Sequence, residues 1–177
     1  AYLALNPAGT VPLLHHGDFL LTETVAILGY LADLHPVARL LGDGSARGRA
    51  DVTRWLAFLN SDVHKAFKPI FTPARFLADR ALAPALATTA RGHVRALFER
   101  LDAQLAERSW LIGQRSVADP YLFVLLRWTA GTKVDVHDLS NLRRFGERMH
   151  DDDAVQRAIA QEEPTRDEPG IADAPAV

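Results

Sequence analysis

TVPLLHHGDFLLT, residues 10 to 22, decides how the first part of this chain is read. Two apolar runs flank HHGD, and Gly17 supplies the turn between them, which is the signature of a β-hairpin. Two short antiparallel strands are expected. Pro12 stands directly after Val11 at the entry to the first strand, where it has no N–H to offer a ladder. Taken alone, such a proline reads as a trans residue opening an edge strand. From Glu23 to Leu34 the apolar residues Ile27, Leu28, Leu31 and Leu34 recur at a helical period, and Pro36 discourages continuation past Leu34. One helix therefore packs on the hairpin.

LGDGSARG, residues 41 to 48, is rich in glycine and small polar residues and separates strand-bearing sequence from sequence that reads as helix throughout. Beyond it Leu56, Leu59, Val63 and Phe67 form one amphipathic stripe, and Val94, Leu97, Leu101 and Leu105 form another. SVADPYLFVLLRWTAGTKV, residues 116 to 134, is apolar nearly all round, as expected of a helix surrounded by others. Two shorter helices follow, around Asn141 to Met149 and Asp153 to Glu162. The fold class expected is α+β followed by all-α: a hairpin-plus-helix unit over 1–40, a linker over 41–48 and an all-helical domain over 49–163. PTRDEPGIADAPAV, residues 164 to 177, combines proline and charge with little apolar content and is expected to be a disordered tail.

Composition narrows the function classes. With 20 Lys+Arg against 22 Asp+Glu, the net charge of −2 provides no basic surplus for a phosphate backbone, so nucleic acid is not expected as a partner. There is no cysteine, hence no disulfide framework or thiolate metal site within these residues, and no metal is expected. The longest apolar run, Val117 to Trp128, contains Asp119 and Arg127 and falls short of the roughly 20 residues of a membrane span. The start lacks the basic and apolar regions of a secretory signal. The chain reads as a cytoplasmic protein with no membrane partner.

Four motifs stand in order: NPAGTVPLL at 6–14, LTETVAILGYLADLHP at 21–36, WLAFLNSDVHKAF at 55–67 and WLIGQRSVADPYLFVLLRW at 110–128. Together they resemble the bacterial glutathione transferases, the beta class in particular, over residues 1 to about 163. The resemblance implies that the first unit is the later part of a thioredoxin-like domain and that the helical part is the family's second domain. In that family a first strand, first helix and second strand precede the segment where this chain starts, and they carry the reactive Cys, Ser or Tyr. The chain opens with Ala1 and is read as a fragment, for which weak or no turnover is expected.

The resemblance also assigns a binding site. In thioredoxin-like domains the X–Pro bond entering the third strand is cis, so Val11 would offer its N–H and C=O, beside Pro12, to the cysteinyl residue of glutathione as an added strand does. The γ-glutamyl end of glutathione carries an ammonium beside a carboxylate. Glu23 would meet the ammonium, and the start of a helix at Thr24, with its unpaired N–H groups and hydroxyl, would meet the carboxylate. On the helix of 55–67, His64 lies off the apolar stripe, on the side of Ala57, Ser61 and Lys68. By resemblance His64 and Lys65 stand near the glutathione sulfur, where imidazole N–H or ammonium donors favour the thiolate, the attacking species. Ala57 departs from the class, which often has Asn there, so a hydrogen-bonding group is expected to be missing. The function implied is a glutathione transferase subunit that conjugates glutathione, as co-substrate, to small hydrophobic electrophiles within a homodimer. The alternatives are a protein of the same fold that binds without turnover and a glutathione-dependent thiol–disulfide reductase.

Other polar residues read as structural. Ser116 and Asp119 have the spacing of a capping box. Pro120, at the fourth helical position counted from that cap, is expected to remove the first intrahelical N–H and distort the turn. Asp151, Asp152 and Asp153 precede a helix and read as caps and dipole partners, not metal ligands. His15 and His16 are placed in the hairpin turn, and Trp55, Trp110 and Trp128 read as core or interface aromatics.

Overall fold

A computed structural model describes residues 2–162, so the expected tail at 164–177 lies outside the described residues. The chain opens with a single helical turn, α1 (Tyr2–Leu5), which leads into NPAG. Asn6 is buried and organises that loop: its Nδ2 donates to the Thr10 carbonyl at 2.6 Å and its Oδ1 accepts from the Ala8 N–H at 3.2 Å. The Tyr2 hydroxyl donates to the same carbonyl. The approach to Val11 is therefore held by two side chains upstream of it.

The expected hairpin follows as β1 (Leu13–His16) and β2 (Phe19–Thr22), antiparallel, pairing Leu13 with Thr22 and His16 with Phe19. The loop is two residues, and Gly17 adopts φ +64°, the left-handed conformation that such a tight turn asks of its first central residue. His15 and His16 thus belong to β1 and not to the turn; the turn is Gly17–Asp18. Both histidines are exposed, and His16 Nδ1 lies 2.8 Å from the Tyr30 hydroxyl. Helix α2 (Thr24–Leu34) packs back on β2 and sends Val25 and Leu28 toward the main core.

Helix α3 begins at Ala46, so the last three residues of the expected linker are helical. The reason is Ser45, whose Oγ accepts from the Gly48 N–H at 2.9 Å as an N-cap. Helix α3 (Ala46–Phe58) runs without a break through a π-helical turn, Leu59–His64, into α4 (Lys65–Phe71). Then come α5 (Ala83–Gln104), α6 (Ala118–Thr132), α7 (Ser140–His150) and α8 (Asp153–Glu162). The predicted stripe of Leu56, Leu59, Val63 and Phe67 is buried against Val94, Leu101 and Leu105 of the second stripe, with Phe98 completing the layer. Helix α6 lies among them, burying Leu122 and Leu125. The hairpin unit is stitched to this bundle where the Val117 N–H donates to the Leu40 carbonyl at 3.0 Å.

Two helix starts depend on carboxylates. At α6, Asp119 Oδ2 accepts from the Ser116 N–H at 2.7 Å, as a capping box requires, while its Oδ1 accepts from the Leu111 N–H at 3.0 Å. Because α6 begins only at Ala118, Pro120 falls at the third helical position, where an N–H would have no intrahelical partner. The distortion expected from Pro120 is therefore not required.

At α7 the cap comes from another helix. Asp102, near the end of α5, accepts from the Asn141 and Leu142 N–H groups at 2.8 and 2.9 Å and from Asn141 Nδ2 at 2.8 Å. Asp102→Ala leaves those donors without an acceptor and is expected to lower stability by about 2 kcal/mol, at the upper end of cap substitutions. A urea midpoint unchanged from the parent chain would refute that assignment.

Candidate active site

The hairpin unit and the α3–α4 run face each other across a cleft of about 290 Å³. All six residues singled out in the sequence line it: Val11, Pro12, Glu23 and Thr24 from one wall, His64 and Lys65 from the other. Thr10, Asn60 and Lys68 complete the lining.

On the first wall the Val11–Pro12 bond is cis, as the resemblance implied. Val11 precedes the β1–β2 ladder, is 83% exposed, and its N–H and C=O have no partner among the described residues. Glu23 occupies the N-cap position of α2 with φ +71°, a conformation rare outside glycine, and its side chain makes no capping hydrogen bond. The carboxylate is therefore left for the cleft. The first turn of α2 itself contains no acidic residue, and the N–H groups at the helix start receive no capping hydrogen bond from Glu23.

On the second wall His64 is half-buried. Its Nδ1 lies 2.8 Å from the Tyr121 hydroxyl, and its ring stands edge-on to Trp128 at a centroid distance of 4.9 Å. Burial, and secondarily the positive charge of Lys68, hold the imidazole below its ordinary pKa. The neutral ring is the form favoured at neutral pH. Tyr121, from α6, donates in turn to Asn60 Oδ1 at 3.1 Å. Its phenol is pushed up to about 12, first by burial and then by the negative charge of Glu23. Lys65 and Lys68 are exposed on the same wall, so the cleft sets one carboxylate against two ammonium groups.

Asn60 and Tyr121 are the residues that sequence reasoning did not single out. Asn60 precedes His64 by four positions, which is the spacing of one helix face and could have flagged it. Ala57 is exposed and is not part of the lining; the amide at this cleft comes from Asn60 on the π-helical turn. Such turns recur at functional sites.

The residues read as structural fall elsewhere. Asp152 Oδ1 accepts from the Ala154 and Val155 N–H groups at 3.0 and 3.1 Å, which makes it the cap of α8. Its Oδ2 pairs with Arg115 at 2.6 Å, and that guanidinium holds its carboxyl below the usual range. Trp55 is buried, and Trp110 packs edge-on against Phe145 beneath Arg115 and Arg148. Trp128 joins Phe67, Phe71 and His64 in an aromatic group, with Phe71 52% exposed.

Residues 1–33 match the family model described as "Glutathione S-transferase, N-terminal domain". The chain is 47% identical over 162 residues to glutathione S-transferase GST-4.5 of Xanthomonas campestris pv. campestris, covering 91% of this chain and 79% of that protein. It is 35% identical over 163 residues to glutathione S-transferase GstA of Escherichia coli O157:H7, covering 91% and 78%. Among solved structures it superimposes on a glutathione S-transferase from Xylella fastidiosa with a TM-score of 0.86 at 45% identity, over 90% of this chain and 79% of the other. It also superimposes on a sphingomonad glutathione S-transferase complexed with glutathione, with a TM-score of 0.81 at 33% identity, over 93% and 79%.

Proposed function

The chain belongs to the glutathione S-transferase family, and from that premise we propose that this cleft binds glutathione, holds its sulfur as the thiolate and delivers it to a small hydrophobic electrophile. The observation that carries the reading is the convergence, in one cleft, of an uncapped helix start, a carboxylate beside it and an unpaired backbone edge at Val11. Each matches one part of the tripeptide. The N–H groups at Thr24 suit the γ-glutamyl carboxylate, Glu23 suits the neighbouring ammonium, and Val11 suits the peptide link of the cysteinyl residue.

That pose directs the sulfur toward the opposite wall, where His64 and the Lys65 ammonium stabilise the anion. Attack forms a carbon–sulfur bond and expels the leaving group, for which a chlorodinitrobenzene serves as the test case: chloride departs and the sulfur's proton remains with the protein or water. The exposed face of Phe71 beside Trp128 supplies apolar surface for a flat electrophile. Family resemblance further supports a homodimer and a cytoplasmic setting. Among the described residues no helix is long and apolar enough to cross a membrane.

Retention on immobilised glutathione, with elution by the free tripeptide, combined with the rate of conjugation to chlorodinitrobenzene, tests the proposal. Retention with turnover would support the reading. Retention alone would reduce the protein to a binding module, and failure of both would overturn the reading.

A further inference from the structure

We propose that Tyr121 is a positioning residue which, together with Asn60, locks His64 in the tautomer whose bare Nε2 faces the cleft, so that the ring receives the thiol proton of glutathione. The inference rests on the function proposed above and adds a direction of proton transfer to it.

It follows from counting protons along one chain of hydrogen bonds. A phenol has a single proton to donate. Asn60 Oδ1 can only accept, so the 3.1 Å contact uses the Tyr121 proton. The phenol then turns a lone pair toward His64 Nδ1 at 2.8 Å, and two lone pairs at that separation would repel. Nδ1 must therefore carry the ring proton, and in a neutral imidazole Nε2 is left as an acceptor. Nε2 has no hydrogen-bond partner among the described residues. The unpartnered polar side-chain atom that is sealed from solvent among them is Trp55 Nε1, so His64 Nε2 is open, on a residue that lines the cleft.

The surroundings agree with this direction. The charged groups around the ring are Lys68 and Lys65 of its own helical run and, across the cleft, Glu23, whose charge acts on Tyr121. On the α6 side the ring meets the neutral phenol and, in a T-shaped contact, Trp128. Lys68 opposes the imidazolium in the resting state. Once Nε2 has taken the proton from sulfur, both ring nitrogens are donors: Nδ1–H keeps its bond to Tyr121, and Nε2–H points back at the thiolate. The proton moves from S–H to Nε2 without rearrangement of the relay. In this reading the N–H donor expected of His64 toward the thiolate arises when Nε2 takes the thiol proton.

Nitrogen-15 chemical shifts of the His64 ring in the wild-type chain read the tautomer directly, without glutathione and without turnover. A protonated Nδ1 with an unprotonated Nε2 is expected at neutral pH; the opposite tautomer would overturn the proposal whether or not the chain binds glutathione. Tyr121→Phe keeps the ring packing and removes the relay. Mixed tautomers are expected there, with kcat reduced about tenfold and the Kd for glutathione changed less than twofold. Asn60→Asp keeps an acceptor and is expected to preserve the Nδ1–H tautomer. If the wild type has the expected tautomer but Tyr121→Phe retains it unmixed, the relay is not its cause and the assignment of Tyr121 fails.

Discussion

Glu23→Gln is expected to weaken glutathione binding by about 30- to 100-fold, the loss of roughly 2–3 kcal/mol from a charge-assisted hydrogen bond. The substitution keeps the shape and size of the side chain but cannot neutralise an ammonium. Isothermal titration measures the change, and an unchanged Kd would remove Glu23 from the site. The backbone at this residue makes a second measurement informative. Glu23 is held at φ +71° at the start of α2, where a non-glycine residue pays roughly 1–3 kcal/mol of conformational strain. Glu23→Gly should therefore bind as weakly as Glu23→Gln while melting at a higher temperature than the parent chain. A residue kept for folding would behave the opposite way, since its removal would lower the melting point.

Asp119→Ala is expected to cost about 3–5 kcal/mol of stability, because three donors lose their acceptor in the interior of the bundle. Asp119 is fully buried, and its oxygens receive the Leu111 N–H, the Ser116 N–H and the Ser116 hydroxyl. For a chain of this size each kcal/mol moves the melting temperature by roughly 2–4 °C, so a fall of about 10 °C is anticipated. Asp119→Asn should rescue little. Donors face both carboxylate oxygens, so either orientation of the amide turns its NH₂ group toward an N–H. A variant within about 1 kcal/mol of the parent chain would show that the two loops find other acceptors.

Much of this molecule is readable without coordinates because the relevant signals are short in sequence. Gly17 between two apolar runs specifies the hairpin, since only a residue at ease with positive φ closes a two-residue loop. The stripes of Leu56 to Phe67 and Val94 to Leu105 specify buried helix faces, since burial of apolar area outweighs most local preferences. His64, Lys65, Val11, Pro12, Glu23 and Thr24 came from ordered motifs of a family, each motif also local.

What the sequence missed involves partners distant along the chain or the precise position of a helix start. Tyr121 reaches His64 across 57 positions and Asn60 across 61, Asp102 caps a helix 39 positions away, and Pro120 became harmless because α6 begins one residue later than the spacing of Ser116 and Asp119 suggests. Periodicity, turns and caps act within a few residues, so the sequence by itself determined the elements, their buried faces and the residues eligible for the cleft. Which of those residues meet, and which nitrogen of His64 is free to take a proton, depend on how α6 seats against the π-helical turn. Only the tertiary packing decided that, because hydrogen bonds require ångström-level placement of groups that no local pattern links.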